Sequence, residues 1–444
     1  MSAKVLITCQ KDYIMAIKME NGEIIDFFAL PYDDAVNNVY IGKVENVRNK
    51  QCFVRYDADR KNGILEIKKN ASYKSGDYIR CQVKREEQGE KGAVLGAKIT
   101  LPGRYAIFVE GIEGYKFSNK LDKRQRAEIM QKLPPPNGRG YIIKSAAMQA
   151  DEAAIREEIN CLNEKYEKIN SVDCSRIKCI YKEDIFEKTI RELSASDLEI
   201  IADKKDINIK GADYYDGIKP LIDYYGLRGQ ILALFERKVK LKSGAELVIE
   251  ETEAMTVIDV NAKACAYGNH FAINLEAAAE IIRQINLRNI GGFILIDFIT
   301  HKKFKELYNQ IKILLKNDKE KSQMKAIEEY SIIAINRKKR YNTFSALLYD
   351  KCGLCHAGKT EKKAYKCQKI CEEILNIYAE KPFKNILATV SDTLYDEFIA
   401  SAQFYLKRLP KKVKIYAETS ACADYVLSVL DDKKESERGV LIGR

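Results

Sequence analysis

Short apolar runs open the chain. KVLITCQ, YIMAIKM and EIIDFFAL lie within residues 4–30, separated by polar turns, and predict two or three β-strands, too little to stand as a domain. Between Val39 and Thr100 the alternation returns in VYIGKVENV, QCFVRY, GILEIK, YIRCQVKRE and AVLGAKIT. Turn signals at Asn62-Gly63, Ser75-Gly76 and Gly89 to Gly92 divide these runs, the proportions of a small Greek-key barrel of the OB type. Residues 101–150 mix strands (RYAIFVE, GYIIKSA) with a basic stretch from Lys116 to Arg126 and a loop at Pro134, Pro135 and Pro136. The period then lengthens to that of a helix over 151–170, with Ile155, Ile159, Leu162 and Tyr166 on one face.

The segment 245–299 is the most regular. AELVIEETEAMTVIDVNA predicts two strands, Asn274 is placed to cap a helix through LEAAAEIIRQINLRN, and Gly291-Gly292 releases the chain into the strand FILIDFI. A strand, helix, strand unit implies an α/β layer on a largely parallel sheet. Phe304, Leu307, Tyr308, Ile311, Leu314 and Leu315 then form the apolar stripe of a lysine-rich helix, expected over Lys302 to Lys325. CGLC at 352–355 separates this part from a final α/β portion, and DDKKESERGV reads as a solvated tail.

Composition narrows the class. With 444 residues the chain holds about three domains at ~150 residues each. Its 46% hydrophobic and 31% charged content is that of a folded soluble protein. The net charge of +11 favours an anionic partner, RNA, DNA or a lipid face, without choosing among them. With three His, metal chemistry must lean on Asp, Glu or Cys. No signal peptide is expected at the N-terminus, and no apolar stretch approaches the ~20 residues of a membrane span. Twelve scattered Cys, among them Cys9, Cys52, Cys81, Cys161 and Cys265, read as small buried hydrophobes in a reducing compartment, so a cytoplasmic location is expected.

Three groupings carry chemistry. Asp259 in VIDVN and Asp297 in LIDFI each sit inside an apolar run, where a carboxylate is costly unless paired, protonated or bound to a cation. Neighbouring strands of one sheet would bring the two together, and Asn261 shares the face of Asp259. Such a set suits magnesium, which can polarise a phosphodiester and activate water; the plainer reading is a hydrogen-bonded Asp at a strand end. Cys352 and Cys355, followed by His356, could bite a zinc. The remaining ligands would come from Cys367 and Cys371 or from a second protomer; two unligated thiols in a turn is the alternative. The barrel carries Lys43, Arg48, Phe53, Arg55, Tyr56, Arg85 and Lys91, cations and aromatics that suit a single strand, although Phe53 fits a core role equally well. The lysines of the helix and Arg337 to Arg340 read most simply as solvated faces.

Taken in order, GKVENVRNKQCFVRYDADRKNGILEIKK, EEQGEKGAVLGAKITLPGRY, ERKVKLKSGAELVIEETEAMTVIDVNA and NLEAAAEIIRQINLRNIGGFILIDFI resemble the ribonuclease E/G family of bacterial endoribonucleases. The resemblance runs from the first strands to about residue 430. It implies a multidomain α/β and α+β chain: a split RNase H-like domain (1–36 and 172–235), an inserted OB-fold barrel (37–102) and an RNA 5′-end sensor (103–171). A DNase I-like catalytic α/β domain (236–350), a zinc link (351–358), a small C-terminal α/β domain (359–432) and a tail (433–444) complete it. Asp259 and Asp297 match the family's magnesium-binding aspartates and Asn261 its assisting amide. Phe53 and Lys91, with Arg85 nearby, fall on RNA-holding barrel positions, and Lys144 and Ser145 on the pair that reads a 5′-monophosphate; Arg337 is counted among the RNA-binding residues. Cys352 and Cys355 match the zinc-link cysteines, which the family shares between protomers, implying a homodimer and an option of a dimer of dimers.

The departures are specific. Ile64 stands where the family usually has a second aromatic, Lys144 replaces an arginine and loses its bidentate fork, and Ala334 and Asn336 replace an acid and a hydroxyl. Gly353 replaces a proline, and Thr300 stands where some members carry Asp. None touches the magnesium ligands. The expected function is therefore a magnesium-dependent endoribonuclease cutting single-stranded RNA in RNA processing and decay, leaving 5′-phosphate and 3′-hydroxyl ends. The alternative is a divergent RNA-binding protein of the same fold with weak or no cleavage. No long disordered scaffold is expected after the catalytic half.

Overall fold

The computed structural model describes residues 3–59, 62–67, 72–87, 92–193, 198–205, 209, 211–252, 254–262, 269–316, 318, 320–339, 341, 343–351, 359–421, 425–430 and 439–443. The chain divides into two compact units, one of residues 1–32, 197–337 and 343–444, the other of 33–196 and 338–342.

The first unit begins with the predicted strands, β1 (Lys4–Cys9), β2 (Tyr13–Glu20) and β3 (Glu23–Pro31), a meander in which Val5 to Cys9 of β1 and Tyr13 to Ile17 of β2 are buried without a break, so both faces of these strands are covered. The second unit follows. Its barrel is built from β4 (Val39–Arg48), β5 (Gln51–Arg55), β6 (Gly63–Glu66), β7 (Tyr78–Arg85) and β8 (Val94–Gly96). Pairing of β4 with β7 closes it, which makes the five-stranded OB-like barrel expected from the alternation. Gly42 permits the closure, since a Cβ there would stand 2.5 Å from a Val54 methyl and 3.2 Å from the Arg55 carbonyl. Next come β9 (Thr100–Pro102), β10 (Ala106–Val109), β11 (Gly114–Phe117), α1 (Lys123–Met130), β12 (Gly140–Ile143) and α2 (Glu152–Asn170). Ile155, Ile159 and Leu162 of α2 bury against the four-stranded sheet made by β9 to β12, as the spacing predicts; Tyr166, expected on the same face, is partly buried beside them, and Ile169 extends the buried stripe. Strand β13 (Lys178–Tyr181) pairs with β4 and leads to α3 (Ile185–Glu192).

Back in the first unit, β14 (Glu199–Ala202) pairs parallel to β1 and β15 (Ala212–Tyr214) parallel to β14. One five-stranded sheet is thus assembled from separated pieces of chain, with α4 (Leu221–Tyr224) and α5 (Arg228–Ala233) contributing to its core. The next sheet has the order β16-β17-β18-β19-β21-β20: β16 (Lys238–Lys240), β17 (Glu246–Glu251), β18 (Thr256–Asn261), β19 (Gly292–Asp297), β20 (Ser322–Ile327) and β21 (Ile332–Arg337). Its helices are α6 (His270–Leu287) and α7 (Phe304–Lys316). The last part is α8 (Phe344–Leu348), β22 (Tyr349–Lys351), β23 (Lys359–Glu361), α9 (Lys363–Glu380), β24 (Asn385–Ser391), α10 (Tyr395–Tyr405), β25 (Lys414–Ser420), β26 (Tyr425–Leu430) and β27 (Val440–Gly443).

Five expectations change. The β16 to β21 sheet is not largely parallel: only β18 and β19 run parallel, because the flanking strands join by antiparallel pairing in β17/β18 and β20/β21. The lysine-rich helix stops at Lys316, and Ser322–Ile327 is an edge strand, since its alternating exposure has period two. Helix α6 starts earlier than expected: Asn269 is the cap, its side chain accepting from Phe271 and Ala272 N–H, while Asn274 is fully buried and holds both backbone groups of Ile299. Cys161 is exposed on α2, whereas Cys9, Cys52 and Cys81 are buried as expected; Cys265 lies outside the described residues. The tail is not wholly solvated, because β27 pairs with β25. Among the described residues no helix is long and apolar enough to cross a membrane.

Helices α6 and α7 pack on one face of the β16 to β21 sheet through Ile281, Ile285, Leu307 and Ile311 against Ile258, Ile294, Ile296, Ile333 and Ile335. Replacing the fully buried Ile281 by Ala is expected to cost about 2–5 kcal/mol, read as a lower urea midpoint of the transition reported by this unit.

Candidate active site and nucleic-acid interface

Alternation sorts each strand of this sheet into an inward and an outward set. In β18, Ile258 and Val260 point into the core, so Val257, Asp259 and Asn261 face outward; in β19, Ile294 and Ile296 do the same for Phe293, Leu295 and Asp297. The parallel register sets Asp259 directly opposite Asp297. Two carboxylates that the sequence separates by a whole helix are therefore neighbours on one outward face, at the carboxyl ends of the one parallel pair that this sheet has among the described residues. The Asn261 amide donates to Asp259 Oδ2 at 2.6 Å, fixing that carboxylate's rotamer and leaving its other oxygen for a ligand. Burial, then the charge of Asp259, raises the Asp297 carboxyl above the usual range.

Two adjacent carboxylates with an amide beside them are hard oxygen donors suited to magnesium, whose charge would relieve their mutual repulsion. Among the described residues no group of three or more His, Cys, Asp or Glu could hold a metal, so the remaining ligands of such an ion would be water or phosphate oxygens. By the same parity the outward face carries Glu246, Val248 and Glu250 of β17 beside Asn261, Asp259 and Val257, Ile332 beside Asp297, Lys238 and Lys240 on one rim, Gln323, Lys325 and Ile327 on the other, and Asn336 beside Phe293; Lys238 pairs with Glu246 at 3.7 Å. Sequence reasoning passed over Phe293, Gln323 and Lys325 as possible ligand contacts. The parity of Phe293 with Asp297, four residues on, was the available signal for the first.

Arg337 does not contribute to a nucleic-acid surface. Its side chain is 3% exposed; the guanidinium donates twice to Asp318 at 2.8 Å, to the Ile290 carbonyl at 2.8 Å and to Asn286 Oδ1 at 2.7 Å. It ties β21 to the end of α7 and to the α6–β19 turn.

On the barrel, Cys52 and Val54 of β5 are buried, which turns Phe53 outward in a row with Ile64 and Val94, and Arg85 is exposed opposite Val94. Phe53 is half-buried and shares this row with two aliphatic neighbours. Tyr56 is no stacking residue, because it is buried in the barrel core against Tyr40. Lys91 lies outside the described residues. Lys144 is half-buried after β12 and donates to the Gly103 carbonyl at 3.2 Å, and Ser145 beside it is exposed. Cys352 and Cys355 lie outside the described residues. The alternative zinc pair does not fit: Cys367 and Cys371 are packed in the core of α9, and burial pushes the Cys367 thiol up to about 12 and that of Cys371 well above its ordinary value, whereas zinc binds thiolate.

The model of the Ribonuclease E/G family matches residues 100–340, more than half of the chain and all of the strands that carry the acidic pair. This chain belongs to the ribonuclease E/G family. It is 28% identical over 398 residues to ribonuclease E of Haemophilus influenzae, covering 78% of this chain and 42% of that protein. With a putative ribonuclease E of Buchnera aphidicola it shares 30% identity over 357 residues, 68% of this chain and 86% of the relative. With ribonuclease G of Escherichia coli it shares 26% over 337 residues, 69% and 68% of the two chains. This ribonuclease E/G chain thus spans less than half the length of the Haemophilus relative.

Burial alone would raise the Asp318 carboxyl, but hydrogen bonds and charge from Arg337 outweigh it and hold it below 3.8. A depressed carboxylate contributes stability above its unfolded value that disappears as pH falls through its folded value. Arg337→Gln strands the buried Asp318 charge and is expected to cost about 3–5 kcal/mol near neutral pH, the gap to the parent protein narrowing below pH 3.8 in chemical denaturation across pH.

Proposed function

We propose that this chain is a magnesium-dependent endoribonuclease that cuts single-stranded RNA in RNA processing and decay. The observation that carries the reading is the register of β18 and β19, which puts Asp259 against Asp297 on an open sheet face. In this reading the two carboxylates hold the ion, and Asn261 orients Asp259. When bound, the ion would supply activation of a water and stabilisation of charge on the phosphodiester, the water adding to phosphorus as the P–O3′ bond breaks, which gives 5′-phosphate and 3′-hydroxyl ends. The β16 to β21 sheet with α6 and α7 is read as the DNase I-like catalytic layer, and the β1, β2, β3, β14 and β15 sheet as the split RNase H-like one. On the barrel, Phe53, Arg85 and Lys91 hold the RNA strand. Lys144 and Ser145 are read as the contact for a 5′-monophosphate, a point charge in place of a bidentate fork.

We also propose that Cys352 and Cys355 bind zinc jointly with the same pair of a second copy, making a homodimer through a metal link, with a dimer of dimers as the further step. The exclusion of Cys367 and Cys371 supports this over a site closed within one chain.

Asp297→Asn and Asp259→Asn should each abolish magnesium-dependent internal cutting of a 5′-monophosphorylated single-stranded RNA while RNA retention stays near the parent level. Full cleavage by either variant, or cleavage undiminished by chelator, overturns the assignment. Retention without cleavage by the parent protein would favour an RNA-binding protein instead, and a DNA oligonucleotide in parallel tests the sugar. Metal analysis should find about one zinc per two chains, since four thiolates close a site, with Cys352→Ser/Cys355→Ser shifting the dimer to monomer; one zinc per monomer contradicts the shared link.

A further inference from the structure

The outward face beside the acidic pair is neither covered nor uniformly charged. Phe293 is on the same strand and face as Asp297, four residues earlier, or ~13 Å along β19. It is 42% exposed, while Ile294 and Ile296 between them are buried. The antiparallel register places Asn336 opposite Phe293 and Gln323 opposite Asn336. One row across three strands therefore presents an aromatic ring and two side-chain amides, all exposed. The adjacent row runs Leu295, Ala334, Lys325, so the cation stands next to the amides and has a methyl, not a carboxylate, as its cross-strand partner.

We propose that Phe293, Asn336 and Gln323, with Lys325 at the rim, form a nucleobase-binding subsite that sets sequence preference for cleavage at Asp259 and Asp297. The chemistry matches the ligand: a ring offers a stacking platform to any base, amides donate and accept toward base edges, and a lysine meets the adjoining phosphate. An RNA strand lying across the acidic pair and running along β19 would pass over the partly exposed Leu295 to reach this row. At a stacked rise of ~3.4 Å per nucleotide, ~13 Å is about four nucleotides from the scissile bond, and fewer where the strand is extended. Phe293 and the amides are specificity residues that touch substrate and take no part in bond breaking.

The subsite rests on the endoribonuclease reading, and the test separates the two. Single-stranded RNAs with one base varied at each position around one cut are cleaved by the parent protein, Phe293→Ala, Phe293→Leu and the double variant Asn336→Ala/Gln323→Ala. Phe293→Ala should raise KM about tenfold or more, with the loss in KM rather than kcat. Both alanine variants should flatten base preference at the same single position, a fixed distance from the cut. Phe293→Leu preserves apolar cover and should lose the stacking contribution while keeping the thermal midpoint. Unchanged preference profiles in a cleaving protein overturn the subsite and leave the nuclease reading intact.

If the parent protein cuts nothing, the nuclease reading fails and binding decides the subsite. Affinity for an intact oligonucleotide and for one with an abasic residue at each position is then compared between parent and Phe293→Ala. Loss of affinity on the intact strand that vanishes with one abasic position supports the subsite; equal losses at all positions, or none, reject it.

Discussion

Placing two carboxylates opposite each other in adjacent strands works against folding, and the site depends on the sheet's ability to impose it. Asp259 and Asp297 would separate if β18 and β19 could slip, but a shift of one residue would turn Ile258, Val260, Ile294 and Ile296 out of the core and the acids into it. The apolar halves of the strands thus lock the register that the polar halves resist. The helical crossover permits the parallel pairing that brings both acids to one end of the sheet. Strain of this kind is tolerable at the surface, where a cation can later enter, and would be costly in the interior.

Among the described residues, Arg337 and Lys188 are buried cations with carboxylate partners. Arg337 spends its guanidinium on Asp318, a backbone carbonyl and Asn286, and so turns what looks like part of a basic run into a strut between β21, α6 and α7. In the other unit, Lys188 is buried with Asp34 and Glu183 and donates to the Val36 carbonyl at 2.7 Å. The cations left at the surface of the β16 to β21 sheet sit on its edge strands, Lys238 and Lys240 on β16 and Lys325 on β20. Edge lysines discourage strand addition, and Lys238 also pairs with Glu246 of the neighbouring strand at 3.7 Å.

The barrel and the sheet present aromatic rings by the same device. Phe53 is turned outward because Cys52 and Val54 are turned in, and Phe293 because Ile294 is. Where the family usually has a second barrel aromatic, Ile64 extends an aliphatic row with Val94. On the β16 to β21 sheet Phe293 adds an aromatic ring to an outward face that otherwise carries the aliphatic side chains of Val257, Leu295, Ile327 and Ile332.

Local patterning was sufficient for the barrel strands, the three-strand opening, the face of α2 and the two acidic strand ends, because period and turn chemistry are properties of short segments. It misjudged wherever the answer lay in a distant partner. Asn274 has the chemistry of a cap, yet its amide is claimed by Ile299; Ser322–Ile327 follows a helix, yet finds an edge to pair with; Arg337 sits in a basic run, yet meets Asp318. The sequence by itself determined which acidic residues stand in apolar strand runs and which strands carry them. Only the tertiary structure decided that Asp259 and Asp297 share one register, that Arg337 is withdrawn from the surface, and that Phe293, Asn336 and Gln323 form one row, since cross-strand register depends on packing between residues far apart in the chain.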